Sequence, residues 1–324
     1  MTTNGELVVE DSDVRLLREM GYTQELYRGF SPFMSFAFCF TTVNVFISIT
    51  IGFTYSLNTG GSGVTIWSWI IGAIFTILIG LSLAEICSVY PSAGSVYHWA
   101  GQLVSAKHAP LASFTCGWVN FLGNVAGDAA FSSGFATIIN AMVVLQGNNS
   151  LSIGAEVGIG IGVTFVWAAL NALRIDQQGW LNNLAAVFQI GSTISIVIVL
   201  LVVAPTRATA HEMSAYKSAS SSRFSAPKGI IGTCVCGAIT GFAYILALLF
   251  AIPDVESFVT NNRGNDAVPN LAIATYQLVL SHQGALALTI LVILNLFFAG
   301  ISGLTVTSRI GYGLVIHFFI GFVN

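Results

Sequence analysis

The 324-residue chain is 55% hydrophobic and 8% charged, with 11 basic and 14 acidic side chains and a net charge of −3. A soluble domain carries about 25% charged residues, so this chain lacks the polar surface of a water-facing globule. Its few scattered cations offer no phosphate-tracking stripe, which excludes nucleic-acid binding along with disorder and an ordinary cytosolic enzyme.

In residues 1–29, Glu6, Glu10, Asp11, Asp13, Glu19 and Glu25 crowd the stretch where a secretory signal needs a basic start and an apolar core. The segment is therefore expected to stay, as a cytoplasmic amphipathic N-terminus. Arg15, Arg18 and Arg28 just before the first apolar run place this end in the cytoplasm by the positive-inside rule, and Leu16, Leu17 and Met20 predict a short surface helix.

Hydrocarbon about 30 Å thick takes roughly 20 apolar helical residues to cross. Seven segments qualify: 30–55, 64–86, 111–145, 156–173, 180–204, 229–252 and 285–308. The fold class expected is an all-α polytopic membrane protein, with the lipid bilayer as its solvent. The first span carries Thr41, Thr42, Asn44, Ser48 and Thr50 through its middle, groups that can satisfy backbone freed by local unwinding or bond to neighbouring helices.

Asp128 lies deep in the third span near Asn120, Asn124, Ser132 and Ser133. A charge at that depth costs a few kcal/mol and marks function by default. It is read either as a contact for a substrate amine or as the acceptor of a coupling proton; the alternative is a protonated acid bonded across a helix interface. Small residues at four-residue spacing, at Gly154, Gly158 and Gly162, Gly123 and Gly127, and Gly237 and Gly241, predict close helix packing. Cys39, Cys87, Cys116, Cys234 and Cys236, an odd count in apolar surroundings, are read as packing residues rather than a disulfide framework or a metal clip.

Charge and alternation agree through the first four loops and then conflict. Simple alternation puts residues 205–228 outside, yet they hold Arg207, Lys217, Arg223 and Lys228. One more crossing between residues 204 and 229 restores the rule for every later loop. The stretch is too polar for a lipid-embedded helix, so it is read as a polar linker where a helix is missing. A re-entrant segment would also restore parity.

The run from Glu85 through Tyr90, Pro91, Gly94, Tyr97 and Trp99 ends a helix, since proline restricts the residue before it and Gly94 permits a turn. Tyr97 and Trp99 are expected at headgroup level as aromatic anchors. This run resembles a signature of amino acid permeases in the amino acid, polyamine and organocation (APC) superfamily. Asp13, Gly21-Tyr22, Arg28 and Ser31 upstream, Ala226-Pro227-Lys228-Gly229 and Thr307-Ser308-Arg309 are similar to landmarks of its eukaryotic branch for amino acids, GABA or choline.

The resemblance implies two inverted five-helix repeats with substrate between the broken first and sixth helices. Residues 30–204 would be the first repeat and 229–324 a partial second one, lacking the sixth helix and the C-terminal helices. It puts the unwinding of the first helix at Ile47, Ser48 and Ile49; with the polar mid-span residues Asn44, Asn124 and Asp128 these form the expected substrate set. Glu85, Tyr90, Pro91, Gly94, Tyr97 and Trp99 form the gating motif. The substrate expected is an amino acid or related amine, coupled to a proton or sodium, with no cofactor. The alternative is a non-transporting membrane partner of a full-length permease.

An intramembrane protease is set aside because Gly127-Asp128 has no second intramembrane Asp with which to form a dyad. Asn148-Asn149-Ser150 is a glycosylation acceptor motif in a loop expected to face outside.

Overall fold

The computed structural model describes residues 32–90, 95–172, 175–203, 225–262 and 267–323. The expected surface helix at Leu16 to Met20, Pro91, Gly94 and most of the 205–228 linker lie outside them. The described residues form helices α1 (Pro32–Val43), α2 (Val45–Val89), α3 (Ser95–Gln102), α4 (Ala109–Leu145), α5 (Ile153–Asn171), α6 (Ile175–Val203), α7 (Ser225–Phe250), α8 (Val255–Asn261), α9 (Leu271–Val279) and α10 (His282–Val323). Among the described residues, six helical stretches are long and apolar enough to cross a membrane. Their outward faces carry large apolar side chains, such as Ile71, Phe75, Ile79 and Phe165, as helices meeting lipid should.

The expected first two spans are fused in one 55-residue stretch, Ser35–Val89, which straight would be about 80 Å long. It doubles back instead. At Gly60 and Gly61 the backbone leaves helical geometry, Gly61 with φ 63°, a left-handed conformation that glycine adopts freely. A Cβ on Gly241 of α7 would lie 2.6 Å from Val45 and 2.3 Å from Trp69. Two residues that a straight helix would hold about 36 Å apart thus meet the same point on α7.

The last predicted span stopped at Ser308, but α10 runs on to Val323, since Gly311 and Gly313 weaken a helix without ending it. Of the predicted small-residue stripes, Gly237 and Gly241 pack against Val45 and Trp69, whereas Gly123, Gly127, Gly154, Gly158 and Gly162 meet nothing within 4 Å. In α5 the close approach falls on Gly160, beside Ser132.

Contacts fix the helix directions. α10 is antiparallel to α1, with Asn44 bonded to Asn295 and the Arg309 guanidinium 5.7 Å from the Phe38 ring. It is antiparallel to α6 as well, pairing Asn182 with Ser302, Phe188 with Phe298 and Ser192 with Asn295. α7 runs the other way, beside α1 and the start of α2: Gly232 faces Phe36, Gly237 faces Val45, and Tyr244 meets Phe46 and Thr50. Hence α1, α6 and α7 are parallel, and Val203 and Ser225 end and begin on opposite sides of the bundle.

The main core lies where the first half of α2, the second half of α4, α7, α9 and α10 meet, around Phe53, Ile138, Tyr244, Leu248, Ile273 and Leu296. Polar links tie α9 into it: Asn270 caps α9 by accepting from the Ala272 and Ile273 N–H groups, and its Nδ2 donates to the Thr50 carbonyl at 2.9 Å.

Candidate substrate site

The first membrane helix breaks at a single residue. Asn44, between α1 and α2, has φ 31° and ψ 70°. Asparagine tolerates this left-handed conformation because its short amide bonds locally. Its Oδ1 accepts from the Ile47 N–H at 3.3 Å, which caps α2, and its Nδ2 donates to the Asn295 carbonyl at 3.3 Å. The Ser48 hydroxyl sits 3.2 Å from the Val43 carbonyl and 3.1 Å from that of Asn44. The first N–H groups of α2 are thereby cut from the helical ladder that α1 would have continued.

This corrects the position implied by the resemblance. Ile47, Ser48 and Ile49 are helical, in the opening of α2; Ile47 and Ile49 are buried in the core and Ser48 is exposed. The break falls earlier because left-handed backbone is open to asparagine and all but closed to β-branched isoleucine.

Around Asn44 three helices bring amides and hydroxyls together in an otherwise apolar interior. Asn295 of α10 donates from Nδ2 to the Ser192 hydroxyl of α6 at 2.7 Å, and Ser192 in turn donates to the Phe188 carbonyl at 2.7 Å. Thr41, Asn44, Gln189, Ser192, Thr193 and Asn295 are all buried. Thr41 Oγ1, Gln189 Oε1 and Asn295 Oδ1 have no hydrogen-bond partner among the described residues. Each buried acceptor left so costs about 1–3 kcal/mol, and such groups call for a ligand or water. An ammonium supplies three N–H donors, and a carboxylate fits the exposed N–H end of a helix such as α2.

Asn124 and Asp128 do not join this cluster. Asp128 Oδ2 accepts from the Thr307 hydroxyl at 2.6 Å, roughly 18 Å along α10 from Asn295. Asn124 spends its amide on its own helix, donating to the Asn120 carbonyl at 2.8 Å. The expected substrate set therefore divides in two. Asn295, Ser192 and Gln189 were missed: they belong to no motif, and their one signal, a polar side chain at mid-span depth, is the kind of signal that singled out Asp128.

In the gating motif, Glu85 is exposed near the end of α2. Tyr90 terminates that helix, and its carbonyl accepts from the Trp99 indole N–H at 2.8 Å. Trp99 is only 6% exposed, so it is a tether between α2 and α3 rather than a headgroup anchor. Helix ends leave carbonyls unpaired and a buried indole needs an acceptor. Tyr97 packs over Gly117 and Gly313, joining α3 to α4 and α10. Asn148 is exposed in the turn between α4 and α5.

A multi-pass bundle whose first helix is broken at a polar, partly unpaired centre has the construction of a secondary transporter. Residues 30–224 match the family model described as amino acid permease, and the chain belongs to that family: it is an integral multi-pass membrane protein of a transporter family, not an enzyme. It is 29% identical to the amino-acid permease BAT1 of Arabidopsis thaliana, over 94% of this chain and 68% of that protein. Its identity to the BAT1 homolog of rice is 27%, over 91% and 66%, and to the GABA-specific permease of Saccharomyces cerevisiae 30%, over 63% and 35%. The chain thus spans about two thirds of the length of the plant relatives. The Arabidopsis alignment runs over 351 positions, more than the 324 residues present here, so that relative has positions this chain does not match.

Proposed function

We propose that this chain derives from a secondary transporter of amino acids or related amines working by alternating access, with its substrate centre at the Asn44 break between α1, α6 and α10. The observation that carries this reading is the buried break at Asn44, bonded to Asn295 and through it to Ser192, on three helices whose buried Thr41, Gln189 and Asn295 carry acceptors without partners among the described residues. The substrate ammonium would take the acceptors and the carboxylate the freed N–H groups of α2.

Relative to its family the chain lacks one crossing, between Val203 and Ser225. The parallel course of α6 and α7 supports this. The absent helix belongs to the pair that encloses substrate in transporters of this construction. That favours a second reading, in which the chain retains the fold and associates with a full-length permease without transporting. Uptake of radiolabelled amino acids into proteoliposomes holding this chain alone decides between them. Saturable flux that Asn295→Leu abolishes supports the transporter; no flux, with the chain retained on an immobilised permease, supports the partner.

A further inference from the structure

We propose that Asp128, with Thr307, is a proton-binding site that stands apart from the substrate centre and communicates with it through α10. Its place in a transport cycle rests on the transporter reading; proton binding itself does not.

The carboxyl group has a built seat. Oδ2 takes the Thr307 hydroxyl at 2.6 Å, and Oδ1 lies over Gly303, where a Cβ would come within 2.6 Å of it. The bare glycine lets the carboxyl group rest directly against α10, and a larger residue there would push it aside. The Thr307 hydroxyl also reaches the Gly303 carbonyl at 3.3 Å, and this second acceptor makes the site two-state. When Asp128 is charged, Thr307 donates to it. When Asp128 is protonated, its own O–H donates to Thr307 Oγ1, and the Thr307 proton turns to the Gly303 carbonyl. Neither state leaves a buried donor or acceptor stranded, which a lone carboxylate among apolar helices could not achieve.

Asp128 is half-buried in a helix that crosses the membrane, where charge is costly and acids serve as proton relays. Among the described residues, no cation is seen to hold it ionised. On α10, Arg309 stacks over the Phe38 ring. On α3, Tyr97 and His98 sit near Gly117, about 16 Å back along α4. On α5, Glu156 is bonded to Asn140, toward the other end of α4. On α9, Tyr276 is bonded to Tyr244.

The site is also placed to act at a distance. Thr307 and Asn295 are on one continuous helix, as are the links from Ser302 to Asn182 and from Thr305 to Asn171. A shift of α10 against α4 when the charge on Asp128 is lost is therefore carried into the Asn44 contact.

The test is an infrared titration of the purified full chain in lipid, following the carboxylic-acid band with pH. A carboxylic-acid band that fades reversibly as pH rises is expected, absent in Asp128→Asn. Thr307→Val displaces its midpoint by about one pH unit or more, and Thr307→Ser leaves it in place. No such band, or one that survives in Asp128→Asn, overturns the proposal. Where the chain transports, Asp128→Asn loses accumulation driven by a pH gradient but keeps amino acid exchange. Equal accumulation by wild type and Asp128→Asn overturns the coupling role. A chain that titrates through Asp128 but moves no solute refutes the transporter reading and leaves the proton site standing.

Discussion

The hydroxyls of Tyr244 and Tyr276 lie 2.6 Å apart, each on a fully buried ring, and Thr50 extends the chain 3.0 Å from Tyr244. Three elements, α2, α7 and α9, are pinned by a single line of hydroxyls above the Asn44 break. Tyr244 is its middle member and bonds to both others, while Thr50 has the Phe46 carbonyl in reserve at 2.9 Å. Tyr276→Phe removes one bond and leaves Tyr244 on Thr50, costing about 1 kcal/mol; Tyr244→Phe strands the buried Tyr276 hydroxyl and costs about 1–3 kcal/mol. Thermal unfolding in detergent should rank the two variants in that order, with Tyr244→Phe the less stable.

Asn44 performs two tasks that substitution separates. Asn44→Gly keeps the left-handed backbone but loses the cap on Ile47 and the bond to Asn295, so stability falls by about 1 kcal/mol and amino acid binding weakens. Asn44→Leu adds backbone strain of about 1–2 kcal/mol and drives α1 and α2 toward one continuous helix, which removes the free N–H groups. Binding of a labelled amino acid, read beside the melting temperature, should show partial loss in the glycine variant and complete loss in the leucine variant.

The membrane class and most span limits were legible in the sequence because lipid imposes a length and an apolar content that any single segment reveals by itself. The break in the first helix was half legible. The polar run from Thr41 to Thr50 marked the region, but the choice of Asn44 over Ser48 depends on a left-handed backbone and on an acceptor supplied by Asn295, far along the chain. Grouping Asp128 with Asn44 failed for a related reason. Depth within a span is written in sequence, whereas distance between spans depends on which helices pack together and in what register. The parity conflict at Arg223 and Lys228 carried further, because it concerns direction across the membrane, and the parallel course of α6 and α7 is the same conflict in three dimensions.

Asp254 caps α8 through three bonds, accepting at Oδ1 from the Glu256 N–H at 3.0 Å and the Ser257 N–H at 3.3 Å, and at Oδ2 from the Ser257 hydroxyl at 2.6 Å. The Ser257 hydroxyl and N–H hold this exposed carboxyl below its ordinary value of 3.8. A folded-state pKa below the unfolded one means that the cap is fully present above the ordinary value and disappears as pH falls through the lower one. Amide protection at Glu256 and Ser257 should therefore drop on acidification below about pH 3.8. In Asp254→Asn, where a neutral amide caps without titrating, protection should stay flat.

Parallel α6 and α7 demand that their facing ends be reached from opposite sides of the membrane. Single cysteines at Val203 and Ser225, in a background with Cys39, Cys87, Cys116, Cys234 and Cys236 replaced by alanine or serine, should react with an impermeant maleimide from opposite faces of sealed vesicles. Register gives a second reading: cysteine pairs Phe36 with Gly232 and Val45 with Gly237 should both cross-link, since α7 follows α1 and the start of α2 in the same direction. An antiparallel α7 could satisfy at most one of these pairs. Labelling of both ends from a single face, together with failure of either cross-link, would mean that no crossing is missing, and the chain would then alternate simply from α6 into α7.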